Sequence, residues 1–377
     1  MIYAKKLLLI FTASVLFFIP LYAQQNGTLI HDGQTRSYIF YLPDQISEPL
    51  PLLIAMHGYT QTANSIMNFS ELNQLADEQN FMVVYPQGIG NSWNVDFGGS
   101  STADDVGFIN ALIDKLSSNF PIDKNRVYAT GFSNGGFMSY RLAYELPEKI
   151  AAIAPVAGTI ASQAFANWEA TKAKPILHIH GTGDFIVPFD GIGGSIEGVD
   201  TLLEFWIAFN GCNSTPTVTE LPDLVQEGST VTQYEWNQCD SEKPIKLLKV
   251  INGGHTWPGT SASGIGIVNQ DINASEEIWN FVKNFSLNDY VITPENHNKT
   301  ISVYPNPLSG NFLFIGNLPE NSRSIAIYDA LGKLIQKKNL NNVAGTFRLQ
   351  LDEKHQGIFM IKIITDYNST SYKVLKY

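Results

Sequence analysis

The sequence predicts an α/β domain with a mostly parallel central sheet, followed by a small all-β sandwich domain. Three observations carry this. Between residues 37 and 285 short apolar runs alternate with stretches of helical periodicity, the pattern of strands covered by helices on both faces. Beyond about residue 300 the apolar spacing changes to a period of two, with turn residues between short runs and no helical pattern. The 377 residues are 44% hydrophobic and 16% charged, which is enough for two packed cores and excludes a wholly disordered or collagen-like chain.

Taken in order, the chain opens with Lys5 and Lys6, an apolar stretch from Leu7 to Ile19, a break at Pro20, and Ala23 before Gln24. This pattern predicts a secretory signal peptide over residues 1–23, with an N-terminal membrane anchor as the alternative. The apolar stretch is 13 residues long, short of the roughly 20 that a spanning helix needs. No later stretch is longer, so the mature chain is expected to have no membrane span.

Residues 24–287 form the predicted α/β domain. Pro51 to Met56, Phe81 to Tyr85, Arg126 to Thr130, Ile150 to Val156, Pro175 to Ile179 and Ile245 to Ile251 read as buried strands, with helices at Asp104 to Leu116 and Gly136 to Tyr144 between them. Residues 288–300 read as a linker. In residues 301–377, strands at Phe312 to Ile315, Ser324 to Tyr328, Thr346 to Leu351 and Ile358 to Ile364 suggest the sandwich.

The net charge of −11 is unevenly spread. Residues 24–299 carry 13 Lys and Arg against 30 Asp and Glu, a balance of −17, while residues 300–377 carry 9 against 5, a balance of +4. The acidic first domain lacks the basic footprint of nucleic-acid binding and suits neutral substrates better than polyanions. Cys212 and Cys239 are the only cysteines, and an even number in an exported chain reads as one disulfide rather than two buried thiols.

Chemistry concentrates at three strand ends. Gly131-Phe132-Ser133-Asn134-Gly135 follows the strand RVYAT and opens the helix GFMSYRLAY, the strand-turn-helix context of a nucleophile elbow. A serine alkoxide needs a base, and the base needs an orienting carboxylate. PILHI runs into His180-Gly181-Thr182-Gly183-Asp184, and IKLLKVI runs into Asn252-Gly253-Gly254-His255, so Ser133, Asp184 and His255 are the catalytic candidates. Asp190 and Asp200 also follow Ser133, but the first lies further along the loop and the second leads a helix. Asn134 supplies one backbone N–H for an oxyanion by position, and Tyr59, in the loop His57-Gly58-Tyr59-Thr60-Gln61 after PLLIAM, is the candidate for the other. His178 and His180 have no cluster of Cys, His or carboxylate at ligand spacing, so they read as core or supporting histidines. No catalytic metal and no cofactor are expected.

With HGYTQ, Asp104-Asp105-Val106-Gly107-Phe108-Ile109, GFSNGG, HGTGDFIVPF and GGHTWPG in view, residues 27–285 resemble the secreted polyhydroxybutyrate depolymerase and feruloyl esterase family of α/β-hydrolases, which includes acetylxylan-type esterases. The resemblance implies a carboxylic ester hydrolase, a triad of Ser133, Asp184 and His255, and a disulfide between Cys212 and Cys239. It further implies esters of aromatic or short-chain acids as substrates, polysaccharide-linked or polyester, with poly(ethylene terephthalate) among those that promiscuous members cleave. Tyr59, Trp93 and Trp257 are then the aromatic candidates for stacking an acyl ring, with Trp93 and Trp257 taken as substrate-binding residues.

The tail, with Tyr304-Pro305-Asn306-Pro307, IAIYDALGKLI and the terminal GIFMIKIITDYNSTSYKVLKY, resembles the C-terminal sorting domain of type IX secretion cargo. That implies a partner in the type IX secretion machinery and a secreted or surface-attached product. A carbohydrate-binding sandwich is the alternative for this domain. For the whole chain the rivals to a serine esterase are an inactive polymer-binding protein on a hydrolase scaffold and a peptidase or amidase.

Overall fold

The structure, a computed structural model, describes residues 23–43, 49–97, 101–261, 264–287 and, with short gaps, 301–376. The expected signal peptide, Ala23 apart, and the expected linker at 288–300 lie outside the described residues. No helix among the described residues is long and apolar enough to cross a membrane.

The first domain is built on strands β1 (Gln24–His31), β2 (Gln34–Tyr41), β3 (Leu50–Met56), β4 (Met82–Pro86), β5 (Ile122–Phe132), β6 (Ala152–Val156), β7 (Ile176–Gly181), β8 (Thr217–Glu220), β9 (Thr230–Trp236) and β10 (Ile245–Ile251). They form one ten-stranded sheet in the order β1-β2-β4-β3-β5-β6-β7-β10-β9-β8. The six central strands, β4 to β10 in that order, are parallel. Successive side chains of β3 enter opposite cores. Leu52, Ile54 and Met56 join helices α3 (Asp105–Asn119), α4 (Asn134–Glu145) and α6 (Val199–Phe209), whereas Leu53 and Ala55 join α1 (Ala63–Ser70), α2 (Leu72–Gln79) and α7 (Ala274–Val282). Burial on both faces is why these strands read as continuous apolar runs.

The edges depart from the expected pattern. β1 and β2 add an antiparallel hairpin through Asp32 and Gly33, both at positive φ, as a two-residue turn of the Asp-Gly kind requires. β8 and β9 add a second antiparallel pair at the other edge. These outer strands were not expected from periodicity because they are only half covered. β1 alternates exposed and partly buried residues along its whole length, so it carries few apolar side chains.

Cys212 and Cys239 are joined in a disulfide behind α6. Beyond residue 300, β13 (Ser302–Tyr304), β14 (Phe312–Leu318) and β17 (Gly345–Gln350) form one antiparallel sheet. A second comprises β15 (Ser322–Asp329), β16 (Leu334–Asn339), β18 (Gly357–Thr365) and β19 (Ser369–Lys376). Leu313, Ile315 and Leu349 from the first meet Ile325, Ile327, Phe359, Ile361 and Val374 from the second in one core.

Candidate active site

Ser133 sits at the turn from β5 into α4 with φ 54° and ψ −117°, a backbone conformation that an L-residue adopts only under constraint. The glycines around it explain how the turn can be so tight. A Cβ on Gly131 would lie 2.4 Å from the Gly135 backbone, and one on Gly135 would lie 2.0 Å from the Met56 carbonyl oxygen. Side chains at either position would push α4 off the sheet.

Asp184 lies just past the end of β7 and His255 begins the short strand β11 (His255–Thr256), which pairs with β12 (Gly264–Ile265). His255 Nδ1 is 2.7 Å from Asp184 Oδ2. The other carboxylate oxygen of Asp184 accepts from the N–H groups of Ile186 at 2.9 Å and Val187 at 2.8 Å. Burial alone would raise the Asp184 pKa, but hydrogen bonds from His180 and His255 outweigh it and hold the carboxyl well below the usual carboxylate range. The fold thus brings Asp184 to His255 and leaves the competing Asp200 in the first turn of α6. The imidazole of His255 packs 4.8 Å, centroid to centroid, from the ring of Phe132, the residue before Ser133. The Ser133 hydroxyl forms no hydrogen bond with His255 here, a contact that in ligand-free hydrolases often tightens only with substrate.

The loop after β3 faces the same place. The N–H of Gly58 donates to Gln61 Oε1 at 3.0 Å and the N–H of Gln61 returns to the Gly58 carbonyl. The N–H of Tyr59 between them has no partner among the described residues. Asn134, as the first residue of α4, has no intrahelical acceptor for its own N–H. Its side chain is occupied elsewhere: Oδ1 accepts from the Trp93 N–H at 2.6 Å and Nδ2 donates to the Trp93 carbonyl.

Trp93 and Trp257 correct the expectation that they bind substrate. Both are 0% exposed and neither lines the cavity. Trp93 donates its indole N–H to the His57 carbonyl at 2.9 Å, tying the loop that carries Tyr59 to the segment bonded to Asn134. Trp257 donates to Ser275 Oγ and stacks edge-on against Phe69. A Trp in a motif loop packs inward when its N–H finds a partner, and spacing alone does not reveal that partner. Of the other loop aromatics, Phe132 and Phe189 are also buried, while Tyr59 is 55% exposed and lines the cavity.

That cavity measures about 260 Å³ and opens beside Ser133 and Asn134. Its walls are Tyr59, Val95, Phe97, Phe137, Ile186, Val187, Ile192 and Ile196, without a charged side chain. Tyr59, Ile186 and Val187 belong to the motif loops and Phe137 to α4, whereas Val95, Phe97, Ile192 and Ile196 lie outside any motif, so no sequence signal marked those four.

The segment DDVG has a structural role. Asp104 caps α3 by accepting from the Gly107 N–H. Asp105 is buried, pairs with the Arg36 guanidinium from β2 and accepts from the Asn94 N–H at 2.7 Å. Burial raises the Asp105 pKa against the opposing pull of Asn94 and Arg36. His57 Nε2 accepts from the Gly88 N–H at 3.0 Å, so its proton is on Nδ1, donated to the Gly58 carbonyl at 2.8 Å. Burial lowers the His57 pKa to about 4.

Residues 43–193 match the Phospholipase/Carboxylesterase family model and residues 302–377 match the Secretion system C-terminal sorting domain model. The chain is 30% identical over 255 residues to a bifunctional acetylxylan esterase/xylanase of Neocallimastix patriciarum, covering 68% of this chain but only 34% of that protein. It is 30% identical to "Putative esterase NocK" of Nocardia uniformis subsp. tsuyamanensis, over 60% of this chain and 72% of the relative. This chain belongs to an esterase family of α/β-hydrolases. Feruloyl esterase B of Piromyces equi is also 30% identical, over 63% of the chain and 42% of the relative. The chain thus spans about a third to two fifths of the length of two of these three relatives.

Proposed function

We propose that this family member hydrolyses carboxylic esters through an acyl-enzyme on Ser133. In this reading His255 takes the serine proton, Asp184 holds the imidazole by Nδ1 and stabilises its charged form, and the N–H groups of Asn134 and Tyr59 receive the oxyanion. His255 then protonates the leaving alcohol, and water repeats the sequence to free the acid. The observation that carries the reading is the Asp184–His255 hydrogen bond of 2.7 Å beside a serine held at φ 54° on the wall of an apolar cavity.

The cavity favours a neutral acyl group, because no charged side chain lines it and none would offset desolvation of a charged one. At about 260 Å³ it lies below the usual range for drug-sized ligands, which begins at ~300 Å³. It therefore suits a short-chain or single-ring acyl group, such as acetyl or feruloyl on a polysaccharide, with the rest of the substrate outside. Residues 1–23 and 302–377 are proposed to route the enzyme through a signal peptide and the type IX machinery to the cell exterior.

Replacing Ser133 by Ala should abolish hydrolysis of p-nitrophenyl butyrate and of methyl ferulate while the far-UV spectrum and melting temperature stay unchanged. Activity above about a hundredth of wild type would end the nucleophile assignment, because triad loss costs several orders of magnitude. An inactive wild type would favour a polymer-binding role instead.

A further inference from the structure

A buried hydrogen-bonded chain leads from the candidate triad into the core, and the ester-hydrolase reading leaves it unused. The Tyr140 hydroxyl in α4 lies 2.7 Å from His178 Nδ1 in β7. His178 Nε2 lies 3.1 Å from His180 Nδ1, and the two imidazoles are parallel to within 1°. His180 Nε2 lies 2.8 Å from the Val187 carbonyl oxygen and 3.4 Å from Asp184 Oδ2. Tyr140, His178 and His180 are at most 1% exposed.

The direction of every bond in this chain follows from its last link. His180 Nε2 faces two oxygens that only accept, a carbonyl and a carboxylate, so it carries the proton. In the uncharged imidazole Nδ1 is then an acceptor, so His178 must donate from Nε2. His178 Nδ1 is left as an acceptor, and the Tyr140 hydroxyl donates to it. Burial, with a smaller contribution from His180, pushes the His178 pKa well below its ordinary value, consistent with an uncharged ring. Apolar side chains could cover β7 equally well, and the polar chain adds a fixed proton at its far end.

We propose that His180 is a positioning residue for Asp184, with its Nε2 proton held toward the Asp184–Val187 loop by donation from Tyr140 through His178. The proton is donated to the Val187 carbonyl at 2.8 Å and faces the Asp184 carboxylate at 3.4 Å, while the Val187 N–H donates to the other carboxylate oxygen. The loop is thereby clamped from both sides, so that the carboxylate stays in place when His255 takes up a proton. This rests on the reading of Asp184 as the orienting carboxylate.

The test has a spectroscopic and a kinetic arm. In protein labelled with 15N at histidine, long-range proton–nitrogen correlation at pH 7 should show both His178 and His180 protonated on Nε2 alone, in the wild type and in Ser133→Ala. A His180 protonated on Nδ1, or on both nitrogens, would overturn the proposal. Kinetically, His180→Leu should lower kcat about tenfold or more, the scale of a lost hydrogen bond to a charged group, with KM within twofold. His180→Gln, which can place an N–H near the former Nε2, should recover most of that loss. Tyr140→Phe removes one buried oxygen, should lower kcat a fewfold and should let His178 adopt the other tautomer. It serves if His180→Leu does not fold. A folded His180→Leu or Tyr140→Phe protein with unchanged kcat, or a His180→Gln protein no better than His180→Leu, would refute the positioning role. Residual activity in Ser133→Ala would end the assignment of Ser133 as nucleophile separately, since the tautomers are read without turnover.

Discussion

Asp184 shows how much one atom assignment decides. Its Oδ1 accepts two backbone N–H groups and its Oδ2 faces His255 Nδ1. In Asp184→Asn the amide oxygen must keep the two N–H groups, so the amide nitrogen turns toward His255. The imidazole is then forced to accept at Nδ1 and to carry its proton on Nε2, the nitrogen that should receive the serine proton. We expect kcat to fall by about three to four orders of magnitude, as for the equivalent change in serine proteases, with KM and the melting temperature nearly unchanged. A kcat within tenfold of wild type would remove Asp184 from the mechanism. Residue types and their order along the chain already pointed to Asp184 and His255, because a loop at the end of a parallel strand delivers its side chain to one edge of the sheet. The roles of Trp93 and Trp257 were not legible, because a Trp in a loop can face inward or outward and the decision belongs to its hydrogen-bond partner.

Between elements, the Arg36–Asp105 pair ties the hairpin strand β2 to the start of α3, with the guanidinium also 3.9 Å from the centre of the Phe108 ring. Both side chains are withdrawn from water. Removing one leaves the other charged and unpaired, which costs about 3–5 kcal/mol. Arg36→Met should therefore shift the denaturation midpoint strongly, whereas exposed pairs such as Lys172 with Glu148 should contribute at most about 1 kcal/mol. A midpoint shift in Arg36→Met as small as in Lys172→Met would contradict this account.

His57 adds a pH dependence at the same scale. Its folded pKa, about 4, lies below its ordinary value of 6.5, so the uncharged form is favoured by folding. The stability associated with it is complete above pH 6.5 and is lost as pH falls toward 4, amounting to roughly 3 kcal/mol. Chemical denaturation at pH 7 and pH 4.5 should show this loss. His57→Asn should start lower at pH 7, since Gly88 loses its acceptor, yet fall less on acidification. An equally steep fall in the variant would show that other groups carry the acid sensitivity.

The whole molecule joins an acidic α/β domain to a basic β domain, with balances of −17 and +4 over the two stretches of sequence. The disulfide closes a loop of 27 residues in sequence separation between α6 and β10. Replacing both cysteines by Ser should lower stability by about 3–4 kcal/mol on the chain-entropy account, while kcat on p-nitrophenyl butyrate is retained because no cysteine reaches the site. A loss of kcat at full folding would place the disulfide in the catalytic geometry instead.

The central strands, the helices on both faces and the turn of Ser133 were legible because burial on two faces and a tight glycine turn impose local composition. The outer strands β1, β2, β8 and β9 were not, because one-sided cover demands little of their side chains, although Asp32-Gly33 was a hairpin signal in plain sight. By itself the sequence determined the α/β class, the order of Ser133, Asp184 and His255, and the separate β domain, since each follows from periodicity or from short contiguous motifs. Only the tertiary structure decided which loop residues wall the cavity, that Trp93 and Trp257 face inward, and that Tyr140, His178 and His180 line up behind Asp184. Those are contacts between segments distant in sequence, and they exist only once the strands are stacked in register.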